Sequence, residues 1–224
     1  MPLTPLQHDP RYGEMDQVLR AYAGQRADDT EEKPSVALTA YLRHTWHSRP
    51  WAVGIAESQL REYARNPPGP LLLRLGEVYP LPDPGLDGAE IQAWLLTVAG
   101  HLRRCLAEGD MPPSGAPQTR WEWQARFPEL GQLLGGWFSQ DHGVEFQDHE
   151  EALRDYLEVT DPSLAARLCG EAYELLALRL DESDYAYGLS LLGLEVDPPV
   201  PYTHGAWLGI IAEEVLRGRW SRLS

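Results

Sequence analysis

The sequence predicts an all-α protein that is a tandem duplication of a small helical-bundle domain, with two pseudo-equivalent repeats. Residues 12–42 align without a gap on residues 127–157, and eight of the 31 aligned pairs are identical. Roughly two or three identities are expected by chance at ordinary composition. Apolar residues recur at helical spacing throughout, and no segment sustains the alternation of a strand. The identical pairs are Glu14/Glu129, Gln17/Gln132, Leu19/Leu134, Gln25/Gln140, Ala37/Ala152, Leu38/Leu153, Tyr41/Tyr156 and Leu42/Leu157.

Each repeat opens with an amphipathic helix, because apolar residues follow the i, i+3, i+4, i+7 spacing in both copies. Trp137 stands on this stripe and aligns with Tyr22, so we expect Trp137 to lie in the core. The stripes are Met15, Val18, Leu19 and Tyr22 in the first repeat, and Leu130, Leu133, Leu134 and Trp137 in the second.

The second and third helices have recognisable starts. Asp148 with Glu151 three residues later predicts a capping box in the second repeat. Pro34 is expected at the first position of the equivalent helix, where a missing N–H costs nothing. The third helices are expected to begin at Pro50 and Pro162.

A short fourth helix is expected to end at a glycine in each repeat, over residues 71–75 before Gly76 and residues 185–192 before Gly193. The closing helices are expected to begin near Asp87 and Thr203. They carry Trp94 and Trp207, for which we expect equivalent buried positions, since Ala-Trp-Leu recurs in both.

Proline and glycine dominate residues 108–119, which is typical of a linker. The predicted organisation is therefore an N-terminal helical repeat over 10–107, a Pro/Gly-rich linker over 108–120 and a C-terminal helical repeat over 121–224.

The charge is acidic and uneven. The net charge is −15, and from Phe127 onward 18 acidic residues face 6 basic ones, a net charge of −12. This balance disfavours nucleic acid and anionic membrane as partners and favours a protein with a basic surface. No apolar stretch is long enough to cross a bilayer, and the first residues lack the pattern of a signal peptide. Cys105 and Cys169 share no motif spacing, as in free thiols of a reducing cytoplasm.

No sequence motif for a nucleophile, a phosphate loop or paired cysteines is present. Asp141, His142, Asp148 and His149 are residue types that bind zinc or iron. Asp148 is already explained as a helix cap, however, and no Glu-x-x-His pair marks an apolar helix face. We therefore expect no catalytic residue, no metal site and no cofactor, and a metal-dependent hydrolase is the least favoured alternative.

The second repeat carries a series of short motifs in a familiar order. The run LGQLLGGWFSQD at Leu130–Asp141 precedes the acidic Glu150–Leu153, then a Leu-Gly turn at Gly193 before prolines, then Trp207. This order resembles the small immunity proteins of bacterial contact-dependent growth inhibition systems, the CdiI-like group. Trp137 stands for the usual tyrosine and Ser139 for the usual histidine. The pattern is filled by Leu130, Leu133, Leu134, Gly135, Trp137, Phe138, Gln140 and Asp141.

The resemblance implies a cytoplasmic protein that binds and neutralises a toxin domain, often a nuclease. The first repeat departs from the pattern, because Arg26 aligns with Asp141. We therefore place the toxin-binding residues in the second repeat, where the acidic excess also lies. They are Gln140, Asp141, Glu145, Asp181, Glu182 and Asp184. A regulatory or scaffold helical interaction module without a toxin partner is the main alternative.

Overall fold

The computed structural model describes residues 10–65 and 88–221. Within these ranges the chain forms helices joined by loops and contains no strand, so the predicted all-α class is confirmed. The chain divides into two compact units, Met1–Glu122 and Trp123–Ser224. The expected helix over 71–75, its Gly76 and the helix start at Asp87 lie outside the described residues. No described helix has the length and apolarity to cross a membrane.

The first unit is built from α1 (Gly13–Ala21), α2 (Val36–Ser48), α3 (Pro50–Arg65) and α4 (Gly88–Glu108), after a 3₁₀ turn at Pro10–Tyr12. Helices α3 and α4, the longest of the first unit's described helices, pack along each other, and α1 and α2 pack against α3. A further helix, α5 (Arg120–Arg126), contains the boundary between the two units. The core includes Met15, Val18, Leu38, Tyr41, Leu60, Tyr63, Trp94 and Val98.

Helix α2 begins after Ser35, whose side chain accepts the N–H of Leu38 at 3.1 Å. The prediction that Pro34 occupies the first helical position is therefore wrong. Pro34 lies one residue before the cap, and a serine oxygen satisfies the exposed amide more directly than a proline can.

A buried ion pair holds the start of α5 to α2 within the first unit. Arg43 donates from Nε to Glu122 at 2.6 Å and from Nη2 at 3.2 Å, and the same carboxylate accepts the N–H of Gln118 at 2.8 Å. Because both carboxylate oxygens are bonded, the buried charge of Glu122 is compensated.

Six helices follow α5 in the described part of the second unit, and the starts expected at Asp148, Pro162 and Thr203 are confirmed. The helices are α6 (Pro128–Trp137), α7 (His142–Glu145), α8 (His149–Val159), α9 (Pro162–Ala177), α10 (Glu182–Leu191) and α11 (His204–Ser221). Helices α9 and α11 pack along each other, and α6 packs against α9 and α8. Gly193 follows α10 with φ of +106°, which confirms its predicted left-handed conformation.

One internal contact of the first unit has a counterpart in the second. In the first, the Gln59 side-chain oxygen accepts the N–H groups of Glu14 and Met15 at the start of α1. In the second, the Glu171 carboxylate accepts those of Glu129 and Leu130 at the start of α6. The buried residues of the closing helices match as well. They are Trp94, Leu95, Val98, Ala99 and Leu102 in α4, and Trp207, Leu208, Ile211, Ala212 and Val215 in α11.

The prediction that Trp137 lies in the core is wrong. Trp137 is half-buried and donates its indole N–H to Asp155 at 2.8 Å, with its ring edge-on to Tyr156. Phe138 is fully buried and lies edge-on to Trp207, as Tyr22 lies edge-on to Trp94. Helix α6 ends at Trp137, and the non-helical backbone of Phe138 shifts the inward-facing ring by one residue.

Candidate functional site

The six residues predicted to bind a partner are all exposed, and they form two groups on the second unit. Gln140, Asp141 and Glu145 surround the short helix α7, and we call them the α7 group. Asp181, Glu182 and Asp184 stand at the start of α10, and we call them the α10 group.

The α7 group is positioned by its backbone. The carbonyl oxygen of Asp141 accepts the N–H groups of Val144 and Glu145, at 2.9 and 3.1 Å. The N–H of Gln140 donates to the Glu195 carboxylate at 2.9 Å. The Asp141 side chain makes no capping bond to α7, and it is exposed to solvent.

Two histidines pack beneath the α7 group. His142 is buried, stacks on Phe138 and has Nδ1 2.9 Å from the carbonyl oxygen of Trp137. His149 also stacks on Phe138, and its Nε2 lies 3.0 Å from the carbonyl oxygen of Asp197. Burial lowers the pKa of His149, against an opposing effect of the Asp197 carbonyl. The His149 ring therefore favours its neutral form, and both rings pack against Phe138.

The metal-binding alternative finds no geometric support in the described part of the chain. Across residues 10–65 and 88–221, no three His, Cys, Asp or Glu side chains converge as metal ligands. Asp148, one of the four candidates, caps α8 by accepting the N–H of Glu151 at 2.8 Å.

The α10 group combines capping with exposed charge. Asp181 accepts the Ser183 hydroxyl at 2.7 Å and the N–H of Asp184 at 2.8 Å, and these bonds, that of Ser183 first, lower its pKa. Glu182 accepts the hydroxyl of Thr203 at 2.8 Å and the N–H of Gly205 at 3.3 Å. The start of α10 is thereby fixed to the start of α11.

The segment 193–203 bonds to both groups, although the sequence marks it only by a helix end and by a Leu-Gly turn before prolines. The Glu195 carboxylate accepts the N–H of Gln140 in the α7 group at 2.9 Å, while Thr203 bonds to the α10 group. Val200 and Tyr202 are exposed on it. The signal available in the sequence was the placing of Val200 and Tyr202 among three prolines.

The acidic groups are not neutralised by nearby bases. Within the described residues, the ion pairs of the second unit join other carboxylates, such as Glu150 to Arg154 at 2.9 Å and Glu129 to Arg167 at 3.3 Å. None of the described ion pairs includes a member of the α7 or α10 group, so the two groups present an uncompensated negative surface.

One open groove of about 470 Å³ lies between α8 and α11. Four of its charged lining residues pair within a helix, Glu150 with Arg154 and Glu214 with Arg217. None of the six predicted residues lines it. The groove is therefore separate from the predicted binding residues.

The comparison with protein families agrees with this location. The model of a family described as CdiI immunity protein matches residues 126–215, a stretch inside the second unit. The resemblance inferred from the motifs is confirmed over these residues. A search of curated proteins and a search of solved structures found no match.

Proposed function

We propose that this protein is a cytoplasmic immunity protein that binds a toxin domain and neutralises it through the acidic surface of the second unit. The observation that carries the proposal is that the family match and the predicted binding residues lie in the same part of the chain. The family match covers residues 126–215, and both the α7 group and the α10 group lie within it.

Charge gives the proposal a physical mechanism. The second unit carries most of the net charge of −15, and its two acidic groups are exposed and uncompensated. A toxin that cleaves nucleic acid needs a basic cleft, so such a surface attracts it and speeds encounter. Occupying the cleft is sufficient for inhibition, so the protein needs neither a catalytic residue nor a metal ion.

We also infer that the two units arose by duplication of one domain. The shared cap of Gln59 and Glu171, and the matching buried tryptophans Trp94 and Trp207, support this origin. The first unit keeps the core but has Arg26 where the second has Asp141. Function therefore belongs to the copy whose polar surface matches the family.

Co-expression with the cognate toxin tests the function. The first step is to identify the neighbouring genes, and where one of them encodes a large secreted protein, the probe is the C-terminal domain of that protein. We expect cells producing that domain to survive only when the full chain is also produced, and the purified proteins to form a complex. Cell death despite the full chain, with no complex in solution, would refute the proposal.

A second candidate function is an interaction module that uses the first unit. Trp51 is 65% exposed, and Ile55 follows it one turn later on α3. Leu106 of α4 adds a third exposed apolar side chain beside Gly54. An exposed tryptophan is a common binding anchor. If this face is the functional one, Trp51→Ala removes partner binding and substitutions in the α7 and α10 groups do not.

A further inference from the structure

Residues 193–203, which we call the connecting segment, join the two acidic groups. Near its start, the Glu195 carboxylate accepts the N–H of Gln140 in the α7 group at 2.9 Å. At its end, Thr203 donates its hydroxyl to Glu182 in the α10 group at 2.8 Å. Each group is thus bonded to one end of a single short stretch of chain.

The length of this stretch limits the separation of the groups. The chain advances eight residues from Glu195 to Thr203, which spans at most about 30 Å even when fully extended. A standard interface of about 800 Å² on each partner is roughly 30 Å across. Both acidic groups therefore fit within the footprint of one partner, with the connecting segment between them.

The middle of the connecting segment is apolar and exposed. Val200 is 94% exposed and Tyr202 is 47% exposed. The N–H of Tyr202 donates to the carbonyl oxygen of Pro199 at 2.9 Å, which closes a tight turn. Three prolines within residues 198–201 restrict the backbone further. Little conformational entropy is lost when such a preorganised turn binds.

We propose that the connecting segment is the apolar centre of the docking surface, with Val200 and Tyr202 entering an apolar pocket of a protein partner whose surrounding surface is basic. The α7 group and the α10 group meet that basic surface on either side. This arrangement matches the apolar core and charged rim of protein interfaces, in which tyrosine is a frequent anchor. Nucleic acid does not fit, because the flanking carboxylates repel phosphates.

The proposal rests on the proposed function, since it takes the toxin domain as the occupant, and it assigns different tasks to the two kinds of residue. Exposed rim charges mainly change the association rate and its dependence on salt. Desolvated apolar anchors mainly change the dissociation rate. The two contributions are therefore separable by kinetics.

The test measures binding of the full chain to the purified toxin domain for two matched double variants. One carries Val200→Ala and Tyr202→Ala. The control carries Val159→Ala and Tyr173→Ala, whose side chains are 68% and 44% exposed elsewhere on the same unit. We expect the first variant to raise Kd at least about thirtyfold, mainly through faster dissociation. We expect the control to keep the wild-type Kd, and the salt dependence of association to stay unchanged in both.

The outcomes separate this inference from the proposed function. If the wild-type chain binds and the Val200→Ala, Tyr202→Ala variant binds equally well, the connecting segment is not the centre, while the immunity function stands. If the wild-type chain itself does not bind, both the inference about the connecting segment and the proposed function are refuted. Val200→Asp is a second variant for the case in which the double variant unfolds, because a side chain 94% exposed does not support the fold. An unchanged Kd for Val200→Asp also overturns the inference.

Discussion

At the scale of single residues, one buried carboxylate stands out. Glu171 accepts the N–H groups of Glu129 and Leu130, at 2.8 and 2.9 Å. Burial raises its pKa from 4.5 to about 7, assisted by the charge of Glu129 and opposed by the two N–H bonds and by Arg167. The first unit makes the same two bonds with the neutral amide of Gln59. The amide achieves the cap without burying a charge.

Replacing Glu171 with glutamine is therefore expected to change how stability depends on pH. The folded pKa is about 7 and the unfolded value 4.5, so the folded state holds this proton more tightly. The stabilising effect of that proton is complete below the unfolded pKa and is lost as pH rises through the folded pKa. We expect Glu171→Gln to gain thermal stability relative to wild type between about pH 5 and about pH 8. Parallel melting profiles across this range would contradict the assignment.

The shift of one residue at the end of α6 gives a second prediction. Phe138 is fully buried, whereas Trp137 is half-buried with its indole bonded to Asp155. Phe138→Ala is expected to lower the free energy of unfolding by about 3–5 kcal/mol, as for large aromatic residues in cores. Trp137→Ala is expected to cost less, although tryptophan is larger. Denaturant unfolding of both variants measures the two losses in the free energy of unfolding. An equal or greater loss for Trp137→Ala would show that Trp137 is a core residue.

At the scale of the helices, the sequence was sufficient to predict a helix start wherever one local residue determines that start. Asp148 and Pro162 marked helix starts because each acts on its own first turn. The start of α2 was misplaced by Pro34, because the adjacent Ser35 offers an equally local cap. The hydrogen bond between Glu195 and Gln140 could not be predicted from such local signals, because it joins residues 55 apart in sequence.

The turn after α10 has a backbone conformation that favours glycine, and substitution of Gly193 tests this requirement. Its φ is +106°, and a Cβ there would lie 2.7 Å from the Cα of Gly135 in α6. We expect Gly193→Ala to cost at least about 1–3 kcal/mol in the free energy of unfolding.

Gly136→Ala is the control for this glycine. A Cβ at Gly136 meets no atom within 4 Å, and the residue lies inside α6. Alanine there is expected to be neutral or to stabilise by up to about 1 kcal/mol. Similar melting temperatures for the two variants would show that Gly193 does not require its unusual conformation.

At the scale of the whole molecule, the two units share core positions and differ in surface charge. The core could be anticipated from the sequence, because apolar spacing is repeated in both halves and buried positions follow it. The two acidic groups could be named individually from the charge count and the motifs. Their common link through the connecting segment could not, since it depends on contacts between distant helices.

The central claim is that a toxin partner meets the acidic surface of the second unit, and the association rate tests it most directly. One variant carries Asp141→Arg, Glu145→Arg and Asp184→Arg, which spares the helix cap of Asp181. The control makes the same change in charge on the first unit, with Arg at the exposed Asp28, Glu32 and Glu62. Both are mixed with the purified toxin domain at several salt concentrations.

We predict that the second-unit variant associates at least about tenfold more slowly than wild type and loses most of its dependence on salt. The control is predicted to associate nearly as fast as wild type. Equal slowing by both variants would mean that only the net charge matters, and slowing by the control alone would place the binding surface on the first unit. Either result would contradict this account.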